Sequence, residues 1–108
     1  MRFGWDRRKS AENLRIRGFD FDFDFDFDFD FDFEFASLIF DGPTLEREDQ
    51  RRDYGETRVV AVGLAQGVAL TVVYTDRVEA GAVVRRIISA RLSNRRERQA
   101  YFQALAQE

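Results

Sequence analysis

The chain has 108 residues and contains neither cysteine nor histidine. Without cysteine it can form no disulfide framework, no thiol nucleophile and no zinc site built on thiolates. Without histidine it has no imidazole to serve as acid, base or metal ligand. Any catalysis must therefore use carboxylates or the side chains of Lys, Arg, Tyr, Ser and Thr, and we expect no metal and no other cofactor.

Long apolar runs are missing as well. No segment approaches the roughly 18 apolar residues of a membrane span, and the first residues lack the apolar stretch of a secretory signal. These absences predict a cytoplasmic protein that has no contact with a membrane. The length suits one domain over residues 1–108.

Negative charge is concentrated in one segment of the sequence. Residues 19–35 contain eight acids and no base, whereas the rest of the chain has 17 bases and 12 acids, a net charge of +5. Sixteen of the 17 bases are Arg, whose planar guanidinium suits phosphate. A basic, arginine-rich body favours a nucleic acid as partner, although an ordinary solvated surface explains the charge equally well.

The acidic segment is a dipeptide repeat in which Phe and Asp alternate from Phe19 to Asp32, followed by Phe33-Glu34-Phe35. This alternation is the period of a β-strand, with Phe on one face and acids on the other. A single strand of 17 residues would extend about 56 Å, however, and its acids would repel one another. We therefore interpret residues 19–35 as an extended or partly disordered low-complexity tract outside the core.

The sequence before and after the tract predicts an α+β domain with an antiparallel sheet. Phe3-Gly4-Trp5 suits a short strand, Asp6 can cap a helix reaching about Arg17, and a short helix should end at Asp41-Gly42-Pro43. An edge strand is expected from residue 44, a loop over 46–56, and three further strands over 57–64, 68–75 and 82–91. A C-terminal helix follows, capped by Asn94 with Glu97 completing a capping box.

The last of these strands is unusual because it is apolar and yet contains three arginines. By the parity of a regular strand, Arg85, Ser89 and Arg91 share one face. Arg86 then lies on the opposite face unless a β-bulge intervenes. With Arg58 on the neighbouring strand, these cations can form a phosphate-binding surface.

Several motifs occur in a characteristic order: Trp5-Asp6, Lys9, Asn13, Gly18, Tyr54-Gly55-Glu56-x-Arg58, Val72-Val73-Tyr74-Thr75, Arg86-Ile87-Ile88-Ser89-Ala90-Arg91 and Arg95-Arg96-Glu97-Arg98 with Tyr101. In this order and spacing the chain resembles the BrnT family, the ribonuclease toxins of bacterial type II toxin–antitoxin modules. The resemblance implies a compact RelE-like α+β fold, with a sheet of three to four antiparallel strands packed with an N-terminal helical segment and a C-terminal helix. It also implies RNA cleavage that inhibits translation and growth. The implied partner is a BrnA-type ribbon-helix-helix antitoxin, through which alone the toxin reaches operator DNA.

The chain departs from the family pattern in two places. The family usually has Lys-His before the Gly that ends the first helix, where this chain has Ile16 and Arg17. In addition, joining Asp20 directly to Phe33 would restore the usual length of the segment after Gly18. Residues 21–32, which are six Phe-Asp units, therefore resemble an insertion made by expansion of a local repeat.

Cleavage of RNA by its own 2′-hydroxyl needs a base, positive charge on the phosphorane and an acid for the leaving oxygen. Arg58, Arg86 and Arg91 are our candidates for the charge. Glu56 is the leading base, provided that its pKa is raised, and Lys9 is a candidate acid or second phosphate ligand. Candidate RNA contacts are Trp5, Tyr74 and Arg95, of which the two aromatic residues can equally belong to the core.

Two other classes of function stay open at this point. The missing His and the acidic tract are compatible with a catalytically weakened module that only binds an antitoxin. A basic α+β domain can also be an RNA-binding domain that is not a toxin. Growth arrest on induction separates a toxin from the weakened module, and a neighbouring ribbon-helix-helix gene separates both from the third class.

Overall fold

Five strands and three α-helices make up the computed structural model, which describes residues 1–15, 31–50 and 55–107. In chain order the elements are β1 (Arg2–Trp5), α1 (Arg7–Arg15), α2 (Phe33–Ala36), a 3-10 helix (Ser37–Asp41), β2 (Leu45–Glu48), β3 (Val59–Ala65), β4 (Val68–Glu79), β5 (Ala82–Leu92) and α3 (Arg95–Ala106). This mixture confirms the α+β class. No helix in these ranges is long and apolar enough to cross a membrane.

All five strands belong to one sheet with the order β1-β5-β4-β3-β2. The strands from β2 to β5 are antiparallel neighbours, whereas β1 pairs parallel to β5. The expectation of three to four antiparallel strands is therefore incomplete, because β1 adds a fifth strand that is parallel to β5. Parallel pairing needs a long connection, and here most of the chain separates the two paired strands.

Tight turns join the three central strands. Gln66 and Gly67 have φ angles of 49° and 82°, and Ala80 and Gly81 have φ angles of 50° and 79°. Two successive residues with positive φ are typical of the two-residue turns that match the twist of a hairpin. Because the second turn is so short, β4 continues to Glu79, and the link predicted over residues 76–81 is mostly strand.

The hydrophobic core lies between one face of the sheet and the segment formed by α2 and the 3-10 helix. Phe33, Ala36 and Ile39 are buried there against Val72 and Ile87 of the sheet. Gly63 of β3 permits this close approach. A Cβ atom at this position would lie 2.9 Å from the Cβ of Ile39, closer than packed side chains allow.

The end of the Phe-Asp tract belongs to this core. Phe31 and Phe33 are only 5% and 2% exposed, and the Asp32 carboxylate caps α2 by accepting a hydrogen bond from the Phe35 N–H at 2.9 Å. Once the chain is helical, Phe33 and Ala36 lie three residues apart on one face and are buried together. The expectation that the tract stays outside the core is therefore wrong for residues 31–35. Residues 16–30, with the rest of the tract and the expected end of the first helix, lie outside the described residues.

The local signals for helix starts are confirmed. The Asp6 carboxylate accepts hydrogen bonds from the N–H groups of Arg8 at 2.8 Å and Lys9 at 3.2 Å. Asn94 and Glu97 form the complete capping box at the start of α3. The short helical segment before Gly42 and the edge position of β2 agree with the sequence as well.

Candidate functional site

A β-bulge in β5 decides which arginines share a face of the sheet. Ser89 is opposite Val73 and Ile87 is opposite Tyr74, so Ile88 is an extra residue and the alternation of faces changes there. Arg86 therefore joins Ser89 and Arg91 on one face, and Arg85 lies on the other. The grouping of Arg85 with Arg91 by simple parity is wrong, because the bulge intervenes.

We call the sheet face that carries Arg86 and Arg91 the arginine face. Arg86 is opposite Thr75 of β4. Arg58 directly precedes β3 and, by continuation of the β3–β4 register, is opposite the same threonine. Two strand spacings place the backbones of Arg58 and Arg86 about 10 Å apart, so the two guanidinium groups flank one strip of this face.

Glu56 joins the arginine face beside this strip. Its carboxylate accepts a hydrogen bond from Arg77 Nη2 at 3.1 Å and lies 3.5 Å from Arg58 Nη2. The hydrogen bond from Arg77 is the main cause that lowers the pKa of Glu56, and the charges of Arg77 and Arg58 add to it. The carboxylate is therefore ionised at neutral pH, and the raised pKa expected of a strong general base is not found.

Arg77 is a site residue that the sequence did not reveal, because we expected a loop at its position. Its place on the arginine face follows from the extension of β4 to Glu79, where Arg77 is opposite Val84 of β5. The tight turn at Ala80-Gly81 was the signal that could have predicted this extension of β4.

Arg86 differs from its neighbour Arg85 in what surrounds it. The Arg85 guanidinium makes two hydrogen bonds to Asp76, at 2.9 and 3.0 Å, and its centre lies 4.1 Å from the centroid of the Tyr74 ring. Arg86 is half-buried, and within residues 1–15, 31–50 and 55–107 its guanidinium has no hydrogen bond or ion pair. The positive charge of Arg86 is thus available to an anion.

Arg91 is engaged in holding α3. Its guanidinium donates to both carboxylate oxygens of Glu97, at 2.6 and 2.7 Å. Burial alone raises the pKa of Glu97, but the hydrogen bonds from Arg91 and the Asn94 N–H outweigh it and the pKa is lowered. Arg91 therefore connects β5 to the helix that covers part of the arginine face.

The other candidate residues lie elsewhere. Trp5 and Tyr74 both pair with Ile87 and face the core side of the sheet. The Tyr74 hydroxyl is buried and donates to Glu46 at 2.7 Å, and burial followed by this hydrogen bond raises its pKa. Lys9 is exposed in the first turn of α1, and Arg95 is exposed in the first turn of α3. The structure thus brings together Glu56, Arg58 and Arg86 and separates Trp5 and Tyr74 from them.

The arrangement defines a class of protein: a small α+β domain with one sheet face packed on its core and the other carrying arginines. The match to known families is more specific. The chain matches the family of BrnT, the ribonuclease toxin of type II toxin–antitoxin systems, over residues 5–97. Because this match covers most of the sequence, the chain belongs to the BrnT family, and membership implies an antitoxin partner. A search of curated proteins found no match.

Proposed function

We propose that the chain is an endoribonuclease toxin that cleaves RNA on the arginine face, without a metal ion, and so inhibits translation and growth. The observation that carries this proposal is the strip between Arg58 and Arg86. There the half-buried guanidinium of Arg86 has no partner within the described part of the chain. A phosphate is the anion that suits a pair of guanidinium groups, because both are permanently charged and present planar sets of donors. The family of ribonuclease toxins agrees with this substrate.

The reaction we propose begins when the 2′-oxygen of a ribose attacks the adjacent phosphorus. A bond forms between these two atoms, and the bond from phosphorus to the 5′-oxygen of the next nucleotide breaks. Glu56 accepts the proton of the 2′-hydroxyl, and the leaving 5′-oxygen takes up a proton from water or from Lys9, the candidate acid. Arg58 and Arg86 stabilise the negative charge that builds up on the phosphorane oxygens, which is the largest contribution that such a site can make.

The remaining candidates have supporting parts in this proposal. Lys9 stays a predicted acid or phosphate ligand, and Arg95 stays a predicted RNA contact beyond the strip. Arg91 acts by fixing α3, because Glu97 already occupies its guanidinium. Trp5 and Tyr74 support the core, since they lie on the core side of the sheet.

The antitoxin partner we propose is a BrnA-type ribbon-helix-helix protein. It would cover the toxin in the cytoplasm and connect it to operator DNA, which the toxin does not bind by itself. The membership in a type II toxin–antitoxin family supports this partner. We also propose that the fold is RelE-like, and the mixed sheet with helices on both sides agrees with it. Coexpression of the protein encoded beside the toxin gene should restore growth, and operator DNA should be retained only by the complex.

Induction of the chain alone tests the activity. We expect growth arrest and RNA fragments with 2′,3′-cyclic phosphate ends, and we expect Arg58→Ala and Arg86→Ala to abolish both effects. Arg7→Ala is the matched control, because Arg7 is equally cationic but exposed on α1. Normal growth with intact RNA after induction of folded protein would contradict the proposal.

One observation favours a second candidate, a weakened module that binds the antitoxin without cleaving RNA. The lowered pKa of Glu56 makes this carboxylate a weak base. The same induction experiment separates the two, since the weakened module binds the antitoxin but leaves growth and RNA unchanged.

A further inference from the structure

A cleft of about 540 Å³ lies between α3 and the edge of the sheet formed by β2 and β3. Leu45, Val60 and Val62 form its aliphatic floor on the sheet, and Arg96 and Ala100 line it from the helix. Its volume falls within the range of sites that hold small organic ligands. Arg91 and Glu97 line the cleft as well, whereas Glu56, Arg58 and Arg86, to which we assign the chemistry, do not.

The cleft adjoins the strip of the arginine face where we place the scissile phosphate. Val60 follows Arg58 by two residues on the same face of β3, and Arg47 is opposite Val60 on β2. Two residues along a strand span about 7 Å. A single RNA strand whose phosphate lies between Arg58 and Arg86 therefore reaches the cleft with a neighbouring nucleotide.

The charges around the cleft are unbalanced in favour of an anion. Arg47 and Arg96 are both exposed, and neither has an ion pair or hydrogen bond with any residue in the described ranges. The two acidic residues at the cleft are already engaged, because Glu97 is bound to Arg91 and Glu46 accepts the hydroxyl of Tyr74. An aliphatic floor below two available guanidinium groups suits a ligand with a flat apolar part and a negative charge.

We propose that this cleft binds one nucleotide of the substrate RNA next to the scissile phosphate. The base lies against Leu45 and Ala100, and its phosphate lies between Arg47 and Arg96. Single-stranded RNA fits because its bases are exposed and its charge is carried by every phosphate. This site rests on the proposed function, since it takes the substrate strand from the strip at Arg58 and Arg86.

Binding of a 2′-O-methyl oligonucleotide of eight residues tests the site directly, because the blocked 2′-oxygen cannot attack. Ala100→Trp fills the cleft from an exposed helix position and should weaken binding about tenfold, the effect of losing one base contact. Gln103→Trp is the matched control, because Gln103 is exposed on α3 but does not line the cleft. Melting curves check that both variants fold.

The arginines have a separate signature in the salt dependence. Arg47→Gln and Arg96→Gln should each reduce the slope of log Kd against log salt concentration by about 0.7, the value for one phosphate contact of a single strand. Ala100→Trp should weaken binding without changing this slope, and Arg7→Gln should change neither. Unchanged slopes for both cleft arginines would overturn the proposal even if Ala100→Trp failed to fold.

The outcome for the cleft is distinguishable from the outcome for the activity. If Arg86→Ala abolishes RNA cleavage while the cleft variants bind and cleave as the parent chain does, the cleft proposal fails and the proposed function stands. If the parent chain does not cleave RNA but the cleft variants weaken oligonucleotide binding, the proposed function fails and the cleft proposal is supported. If Ala100→Trp binds the oligonucleotide normally but loses the antitoxin, the occupant is protein and the proposal is overturned.

Discussion

Arg85 and Arg86 show how two identical neighbours in a sequence acquire different roles from their surroundings. Arg85 is held by both oxygens of Asp76 and packs over the Tyr74 ring. The hydrogen bonds to Asp76 are the main cause that raises its pKa. Arg86, on the other face, has no such partner in the described ranges. We infer that Arg85 stabilises the fold and that Arg86 is left for a ligand.

Substitution at these two positions should separate stability from activity. Arg85→Lys loses the two-pronged hydrogen bonding and the ring contact, so we expect about 1–2 kcal/mol less stability with normal cleavage per folded molecule. Arg86→Ala should reduce cleavage at least about 100-fold and leave the melting temperature nearly unchanged. Denaturant unfolding and an RNA cleavage assay on both variants test this. Unfolding of Arg86→Ala would instead assign that residue to the structure.

A second prediction concerns the ionisation of Glu56. Because Arg77 lowers the pKa of this carboxylate, Arg77→Gln should raise it. If Glu56 takes the proton from the 2′-hydroxyl, the acid limb of the pH profile of cleavage must then move to higher pH. Arg77→Lys keeps the charge and should leave the limb closer to its original position. An acid limb that does not move in Arg77→Gln would exclude Glu56 as the base.

At the scale of elements, the position of α3 depends on a few polar contacts at its start and middle. The capping box holds its first turn, and Arg91 joins the same turn to β5. Further along the helix the buried Tyr101 donates its hydroxyl to the carbonyl of Pro43 at 2.9 Å. Glu97 takes part in both contacts of the first turn, so it is the residue on which the seating of the helix most depends.

Glu97 should therefore make stability depend on pH. Its pKa is lower in the folded chain than its ordinary value of 4.5, so its stabilising effect is complete above that value and is lost as the pH falls through the folded pKa. Glu97→Gln retains an acceptor for the capping box but loses the ion pair, and Glu97→Ala loses both. At neutral pH we expect the free energy of unfolding to fall by about 0.5–1 kcal/mol in Glu97→Gln and by about 1–2 kcal/mol in Glu97→Ala.

Urea unfolding across a pH series measures this effect. The stabilities of the parent chain and Glu97→Gln should converge as the pH falls through the folded pKa of Glu97, which is lowered from 4.5, because below it the carboxylate is protonated in both states of the parent chain. A constant difference between them at every pH would show that the charge of Glu97 has no part in seating α3.

Local signals made several elements predictable from the sequence. Caps at Asp6 and Asn94 and the short connection between the strands predicted over 57–64 and 68–75 depend on residues close together in the chain, and the structure confirms all three. The parallel pairing of β1 and the bulge at Ile88 depend on distant partners. No residue nearby specifies them, so parity assigned Arg85 and Arg86 to the wrong faces.

The candidate site was predictable to a similar extent. Residue type identified Arg58 and Arg86, because a guanidinium in an apolar strand needs a reason to be there. The contact of Arg91 with Glu97 follows only from the position of α3. The place of Arg77 on the arginine face follows only from the pairing of strands.

At the scale of the whole molecule, a deletion can test how much the Phe-Asp repeat contributes to the stability of the fold. Deleting residues 21–32 gives the same sequence as deleting residues 19–30, because the units are identical. Either description leaves one Phe-Asp pair before Phe33, in the places of the buried Phe31 and the capping Asp32.

We expect the deletion to change the free energy of unfolding by less than about 1 kcal/mol, because the shortened chain keeps a Phe-Asp pair in the places of Phe31 and Asp32, and a change in the length of chain between two fixed points costs little entropy. A thermal melt of the shortened chain tests this. A control that replaces Asp32 by Ala removes the cap of α2 and should lose about 1 kcal/mol. A much larger loss in the shortened chain would show that the repeat carries structure beyond residues 31–35.

The bulge at Ile88 also bears on how such toxins should be compared with one another. Arg86 and Arg91 are five residues apart on β5, an odd interval that a regular strand would divide between two faces. Their partners on β4, Thr75 and Thr71, are four residues apart, and it is this even interval that keeps both guanidinium groups on one surface. A chain without Ile88 would preserve every one of these pairings. In an alignment, a gap at that position would therefore mark a change in backbone twist, with the arginine face kept intact.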